Sequence, residues 1–133
     1  PCEFGGPVMA APRPTKRLSD RVETKHVSQD PESGFLIQRI HGDDGLTEDL
    51  ETGLKTSACV DEVFSIDPSD PGSAVATFEW VRTLGRGDWQ TRSETKVRMA
   101  GEADAYAFEV SLTCYEGDAQ VFTKDWRARV PRA

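Results

Sequence analysis

The side chains of this chain that could do chemistry are two histidines, three cysteines, an acidic run, and aromatic residues standing beside hydroxyls. Nucleophilic catalysis needs an activated Ser, Cys or Thr next to a base that a third group orients. His26 falls in a charged, strand-like run, His41 sits at a Gly/Asp turn, and no Gly-x-Ser-x-Gly elbow occurs. His41 with Asp43 and Asp44 offers a base and an orienter, but no nucleophile accompanies them. The trio reads as a surface turn, and no catalytic residue is assigned.

Asp43, Asp44, Glu48, Asp49 and Glu51 are oxygen donors of the kind that calcium or magnesium takes. The Asp-x-Asp-x-Asp-Gly start of a calcium loop is missing, and Gly45 comes too early for it. The run therefore reads as a solvated acidic loop. Zinc is disfavoured without paired Cys or His, so neither a metal nor another cofactor is expected. Gly85-Arg86-Gly87 lacks the following helix N-terminus that a phosphate cradle wants, and reads as a hairpin or bulge.

The aromatic residues are the remaining candidates. Trp80, Trp89 and Trp126, with Phe78, Phe108, Phe122 and Tyr106, could line a cavity inside a barrel or form plain core. Thr91, Ser93 and Thr95 follow Trp89 on the same alternation. A packed core seldom places three hydroxyls in a row, because each needs a hydrogen-bond partner once buried. A polar-lined cavity, or a sheet face covering a partner, accommodates them better. Trp80, Trp89, Thr91, Ser93, Thr95, Phe108 and Trp126 are accordingly the residues expected to form a ligand or partner face.

The elements that must position these residues are strands. Arg21 to Val27 is rich in β-branched residues and ends at the turn cluster Asp30-Pro31-Glu32-Ser33-Gly34, and Phe35 to Ile40 is a short apolar run, so the two read as a hairpin. His41-Gly42-Asp43-Asp44-Gly45 is expected to stop the second run, and Leu46 to Leu54 reads as a loop or weak strand. Thr47 to Lys55 is the one place where a turn or two of helix is admissible. Lys55 to Ile66 alternates until Asp67-Pro68-Ser69-Asp70-Pro71-Gly72 breaks it. Ser73 to Leu84, Trp89 to Met99, Tyr106 to Cys114 and Gln120 to Val130 then form four long strands joined by short Gly/Asp turns. Between Gln90 and Arg98 one face is charged throughout, so it meets water and the opposite face must be covered. The expected fold is all-β: an antiparallel meander of about 6–8 strands curling into a barrel or half-barrel.

Length and composition agree. The chain has 133 residues, 37% hydrophobic and 29% charged, which suits one globular domain and excludes a wholly disordered or collagen-like chain. Residues 1–14 read as a flexible arm, with 1–8 resembling an appended linker, and 15–133 as a single antiparallel β domain. Sixteen bases against 23 acids give −7, a poor balance for nucleic acid, and no apolar run is long enough to span a membrane as a helix. The charge is uneven: residues 28–72 hold two bases and eleven acids. Three cysteines do not suggest a disulfide framework, and Cys59 and Cys114 are expected as buried thiols. With no visible signal segment, a cytoplasmic location is expected.

Two stretches carry a resemblance. One runs from Phe64-Ser65-Ile66-Asp67-Pro68-Ser69-Asp70-Pro71 through Leu84-Gly85-Arg86-Gly87-Asp88-Trp89 to Arg92-x-Glu94-Thr95. The other is Tyr115-Glu116-Gly117-Asp118-x-x-Val121-Phe122-x-x-x-Trp126, ending at Val130-Pro131-Arg132. Together they resemble the C-terminal region of CocE/NonD-type hydrolases, relatives of cocaine esterase and X-Pro dipeptidyl-peptidase, over about residues 60–132 and more loosely over 15–60. Pro71-Gly72-Ser73-Ala74 departs from that family's Pro-Leu-Ser-Ala. The resemblance implies an all-β accessory region in a bacterial, soluble setting. It implies no catalysis by this chain, since the family's catalytic residues belong to an α/β-hydrolase portion that has no counterpart here. Two functions follow as expectations: a non-catalytic accessory or interaction module that meets a protein partner or a further copy through a sheet face, or a stand-alone β-barrel holding a small apolar or amphipathic ligand.

Overall fold

A computed structural model describes Gly6 and residues 10–132. The linker-like reading of residues 1–8, with Cys2, lies outside the described residues except at Gly6. Alternating sequence becomes nine antiparallel strands: β1 (Thr15–Arg17), β2 (Val22–Gln29), β3 (Leu36–Asp43), β4 (Thr47–Asp49), β5 (Lys55–Asp67), β6 (Asp70–Arg86), β7 (Trp89–Gly101), β8 (Ala105–Glu116) and β9 (Ala119–Pro131). The count exceeds the expected 6–8 because β1 and β4 are separate three-residue pieces. Thr47 to Lys55 forms β4 and a turn, with no helix among its residues.

One sheet holds every strand. Its order is β1-β4-β5-β6-β7-β8-β9, while β2 and β3 pair with each other and β3 with β5. Long β5 thus carries two short neighbours on one flank: β3 along Cys59–Ile66 and β4 along Lys55–Thr56. β3 runs on through His41, Gly42 and Asp43, which pair with Asp61, Val60 and Cys59. The stop expected there does not occur, because Gly42 is flanked by extended residues and its backbone joins the ladder on both sides. Beyond β5, four long strands form the expected meander.

The sheet is not closed: β9 at one edge has no pairing with β1 or β2 at the other. Close approach between strands joins hydrogen-bonded neighbours alone, so among the described residues no second layer covers either face. The buried apolar side chains are accordingly just Ala76 and Ala105. A sheet normally buries one face against another element; this one does not.

Turn chemistry fixes the register. Arg86 pairs with Trp89 and Glu116 with Ala119, so Gly87-Asp88 and Gly117-Asp118 are two-residue connections. Gly87 and Gly117 both hold φ of 57°, as a hairpin with glycine first requires. A Cβ on Gly87 would meet nothing within 4 Å, so the cost of a side chain there is purely conformational. Gly87→Val should therefore destabilise the fold by about 1–2 kcal/mol. A melting temperature unchanged from the parent would refute this.

The acidic middle is largely turn chemistry as well. Asp30 Oδ1 accepts from the Glu32 and Ser33 amides and the Ser33 hydroxyl at 2.8–3.0 Å. Asp49 accepts from the Glu51 and Thr52 amides, and Asp67 from the Ser69 amide and hydroxyl. These hydrogen bonds, with the Ser33, Thr52 and Ser69 amides foremost, hold all three carboxyls below their ordinary 3.8. A carboxyl that ionises more readily folded than unfolded stabilises the fold above the unfolded value and loses that contribution as pH falls through the folded one. Stability should thus drop below about pH 3.8, and Asp30, Asp49 and Asp67 should each titrate lower in the folded than in the unfolded chain in a carboxyl NMR titration. Ordinary titration of all three would contradict the turn assignment.

Candidate functional site

Because side chains alternate along a strand, the pairing register sorts them onto two faces. One face is polar and self-paired. On it, register partners of opposite charge meet, Lys96 with Glu79 at 3.3 Å and Arg127 with Glu109 at 3.6 Å, and His41 Nδ1 hydrogen-bonds Asp61 at 2.8 Å. Ser57 and Thr83 hydroxyls hydrogen-bond at 2.6 Å, and the Arg92 guanidinium lies 4.2 Å from the Tyr115 ring centre. Such exposed pairs contribute little each, but they satisfy this face toward water.

The other face carries the aromatic and most of the aliphatic side chains, with Glu62, Arg82 and Arg86 among them. Three rows of register partners cross it from β2 to β9. The first is Glu23, Gly42, Val60, Trp80, Thr95, Leu112 and Lys124. The second is Lys25, Ile40, Glu62, Phe78, Val97, Val110 and Trp126. The third is Val27, Gln38, Phe64, Ala76, Met99, Phe108 and Ala128. Phe78 meets Phe64 edge-on at 5.5 Å and lies 6.5 Å from Trp80, so the centre of the face is aromatic.

The centre of the face is half-buried and its tryptophans are exposed. Trp80 is 42% exposed, Trp126 40% and Trp89 46%; Leu36, Leu84, Phe122 and Val130 on the same face are exposed too. Register places all seven residues expected for a ligand or partner face on it: Trp80, Trp89, Thr91, Ser93, Thr95, Phe108 and Trp126. Thr91 and Ser93 border a half-open groove of about 610 Å³ with Leu84, Cys114 and Val121. The Thr91 hydroxyl reaches the Leu84 carbonyl at 3.5 Å, the outer limit of a hydrogen bond.

One constellation escaped the sequence. His41 Nδ1, an Asp61 oxygen and Cys59 Sγ converge within 4.8 Å on the polar face. The expected neighbours of His41, Asp43 and Asp44, are not its partners; Asp61 on β5 is. Only the β3–β5 register could have revealed that pairing, which spans 20 residues. The trio is a cross-strand His–Asp hydrogen bond with a thiol alongside. Burial first, then the Asp61 and Asp43 carboxylates, push the Cys59 thiol above its ordinary 9.0, whereas a metal ligand or nucleophile must be a thiolate.

Cys59 and Cys114 are free thiols, each half-buried, where full burial was expected. A single-layer sheet has no second element to close over them. At pH 7 a thiol reagent should label native Cys59 more slowly than it labels the unfolded chain, and the native rate should climb with pH. Equal rates would show that the carboxylates do not govern this thiol.

No family model, curated protein or solved structure matches the chain. Among the described residues no helix is long and apolar enough to cross a membrane.

Proposed function

We propose that this chain is a non-catalytic interaction module, resembling the accessory C-terminal region of CocE/NonD-type hydrolases, that docks a protein surface on its apolar sheet face. The observation that carries the reading is the aromatic face left open around Trp80, with no layer over it among the described residues. Desolvating such a face returns roughly 25 cal/mol for each Å² of apolar area. The polar face, already paired within itself, gains nothing comparable from a partner. Thr91, Ser93 and Thr95 fit the same role, since hydroxyls at an interface can bond to a partner or to trapped water. The ligand-binding alternative needs an enclosed cavity, and so needs β9 to close on the opposite edge; in the open sheet the space beside Thr91 and Ser93 is a groove.

Quenching of tryptophan fluorescence by iodide tests the reading. Docking predicts that Trp80 and Trp126 become shielded at protein concentrations where association occurs, and return to free-tryptophan quenching on dilution. Full quenching at every concentration and with every protein offered would overturn it. So would turnover of a p-nitrophenyl ester by the purified chain that a serine-reactive phosphonate abolishes.

A further inference from the structure

We infer that the surface covering the apolar face is the same face of a second copy of this chain, the two sheets closing as a two-fold sandwich about Trp80. The inference rests on the docking reading above and names its partner.

Area sets the scale. The chain leaves 9994 Å² accessible, whereas a compact protein of its 14.7 kDa leaves roughly 6,900 Å². Gly6 and residues 10–14 are exposed and contribute part of the excess. The excess, roughly 3,000 Å², is shared by the arm and both sheet faces; covering about a third of it on each chain would bury roughly 2,000 Å² per pair, the lower end of the range for obligate dimers.

Register then shows which residues would meet: beside the apolar matches it sets Arg82 on its own copy and Glu62 against Val97, so the match is carried by the rows through Trp80 and Phe78 and by the rims. A two-fold axis parallel to the strands through Trp80 reverses strand order across the interface, which an isologous contact requires. Trp80 stands on β6, midway in its row between β2 and β9, so it faces its own copy. Gly42, which has no side chain, faces bulky Leu112, and at both rims acidic Glu23 faces basic Lys124. In the next row Phe78 faces Phe78 and Ile40 faces Val110. Aligned sheets pack this way about 10 Å apart, their strands within about 30° of each other. Glu23 and Lys124 lie on the outermost strands of one open sheet, six strand spacings or roughly 29 Å apart. Any coupling between them in the assembled protein therefore passes between copies.

Sedimentation equilibrium on the full chain and on Glu23→Lys, Lys124→Glu and the double variant decides the matter. The parent should sediment at twice its 14.7 kDa. Each single reversal sets like charges against each other at both rims and should weaken association about two- to twentyfold; the double variant should restore it. A dimer indifferent to the single reversals overturns the arrangement. A monomer whose melting temperature shows the same rescue also overturns it, since β9 would then close on β2 within one chain. A monomer that binds a hydrophobic dye at this face overturns the second copy but leaves the docking reading standing. A monomer that binds no dye overturns both.

Discussion

Trp80→Glu should leave the sheet intact and weaken association through the apolar face roughly a thousandfold. Trp80 sits at the centre of the aromatic cluster with Phe78, and at 42% exposure it still offers much of its ring to a partner. Central tryptophans of this kind cost at least 2 kcal/mol when removed from an interface. In a two-fold assembly the loss occurs twice, about 4 kcal/mol, and two carboxylates meeting at the axis add repulsion. Little of this reaches the fold, because a half-exposed ring leaves no sealed cavity behind. Thr77→Glu on the polar face, between Val63 and Arg98 in its row, supplies the control and should associate like the parent. Circular dichroism reports the sheet and sedimentation the association. Parent-like association of Trp80→Glu would sink both the docking reading and its two-fold form.

What the sequence disclosed, and what it withheld, follows from how far apart the interacting residues lie. The meander β6–β9 was legible because period-two alternation runs for about ten residues in each strand, with a charged partner face over Gln90–Arg98, and short turns containing Gly and Asp separate the runs. The membership of the apolar face was legible for the same reason: a strand's own alternation assigns its faces whatever its neighbours do. The strand ladder through Gly42 and Asp43 was not, since local composition there argues for a turn and only pairing with Val60 and Cys59 decides otherwise. His41 and Asp61 meet by register alone. The acidic middle resembled a solvated loop because Asp30, Asp49 and Asp67 cap turns through their own nearby amides, and such caps leave no periodic trace. The open face was the largest surprise. Alternation requires that one side of each long strand be covered, but nothing in a period of two says whether the cover comes from the same chain.

Gly45→Ala is expected to be the most damaging small substitution, at about 3 kcal/mol, in a fold whose net stability is on the order of 5–15 kcal/mol. Gly45 is buried where the chain leaves β3, at φ of 71°, a left-handed conformation that itself costs an alanine about 1 kcal/mol. A Cβ there would also collide with the Ser19 carbonyl and come within 2.8 Å of the Asp20 carbonyl, both backbone atoms that cannot swing aside. Those carbonyls are held in place. The Leu18 amide donates to the Leu46 carbonyl at 2.7 Å, the Leu46 amide donates to the Ser19 hydroxyl at 2.8 Å, and Arg17 donates to the Asp44 carbonyl at 2.9 Å. Relieving the clash therefore means pulling β1 and its exit loop away from the β3–β4 connection. Gly53→Ala is the matched comparison: its φ is 67°, but a Cβ there meets nothing within 4 Å, so it carries the conformational cost alone. The Gly45 variant should melt several degrees below the Gly53 variant, and its Leu18 and Leu46 amides should exchange with solvent far faster than in the parent. Equal melting of the two variants would mean that the close packing of residues 18–20 against Gly45 is absent in solution.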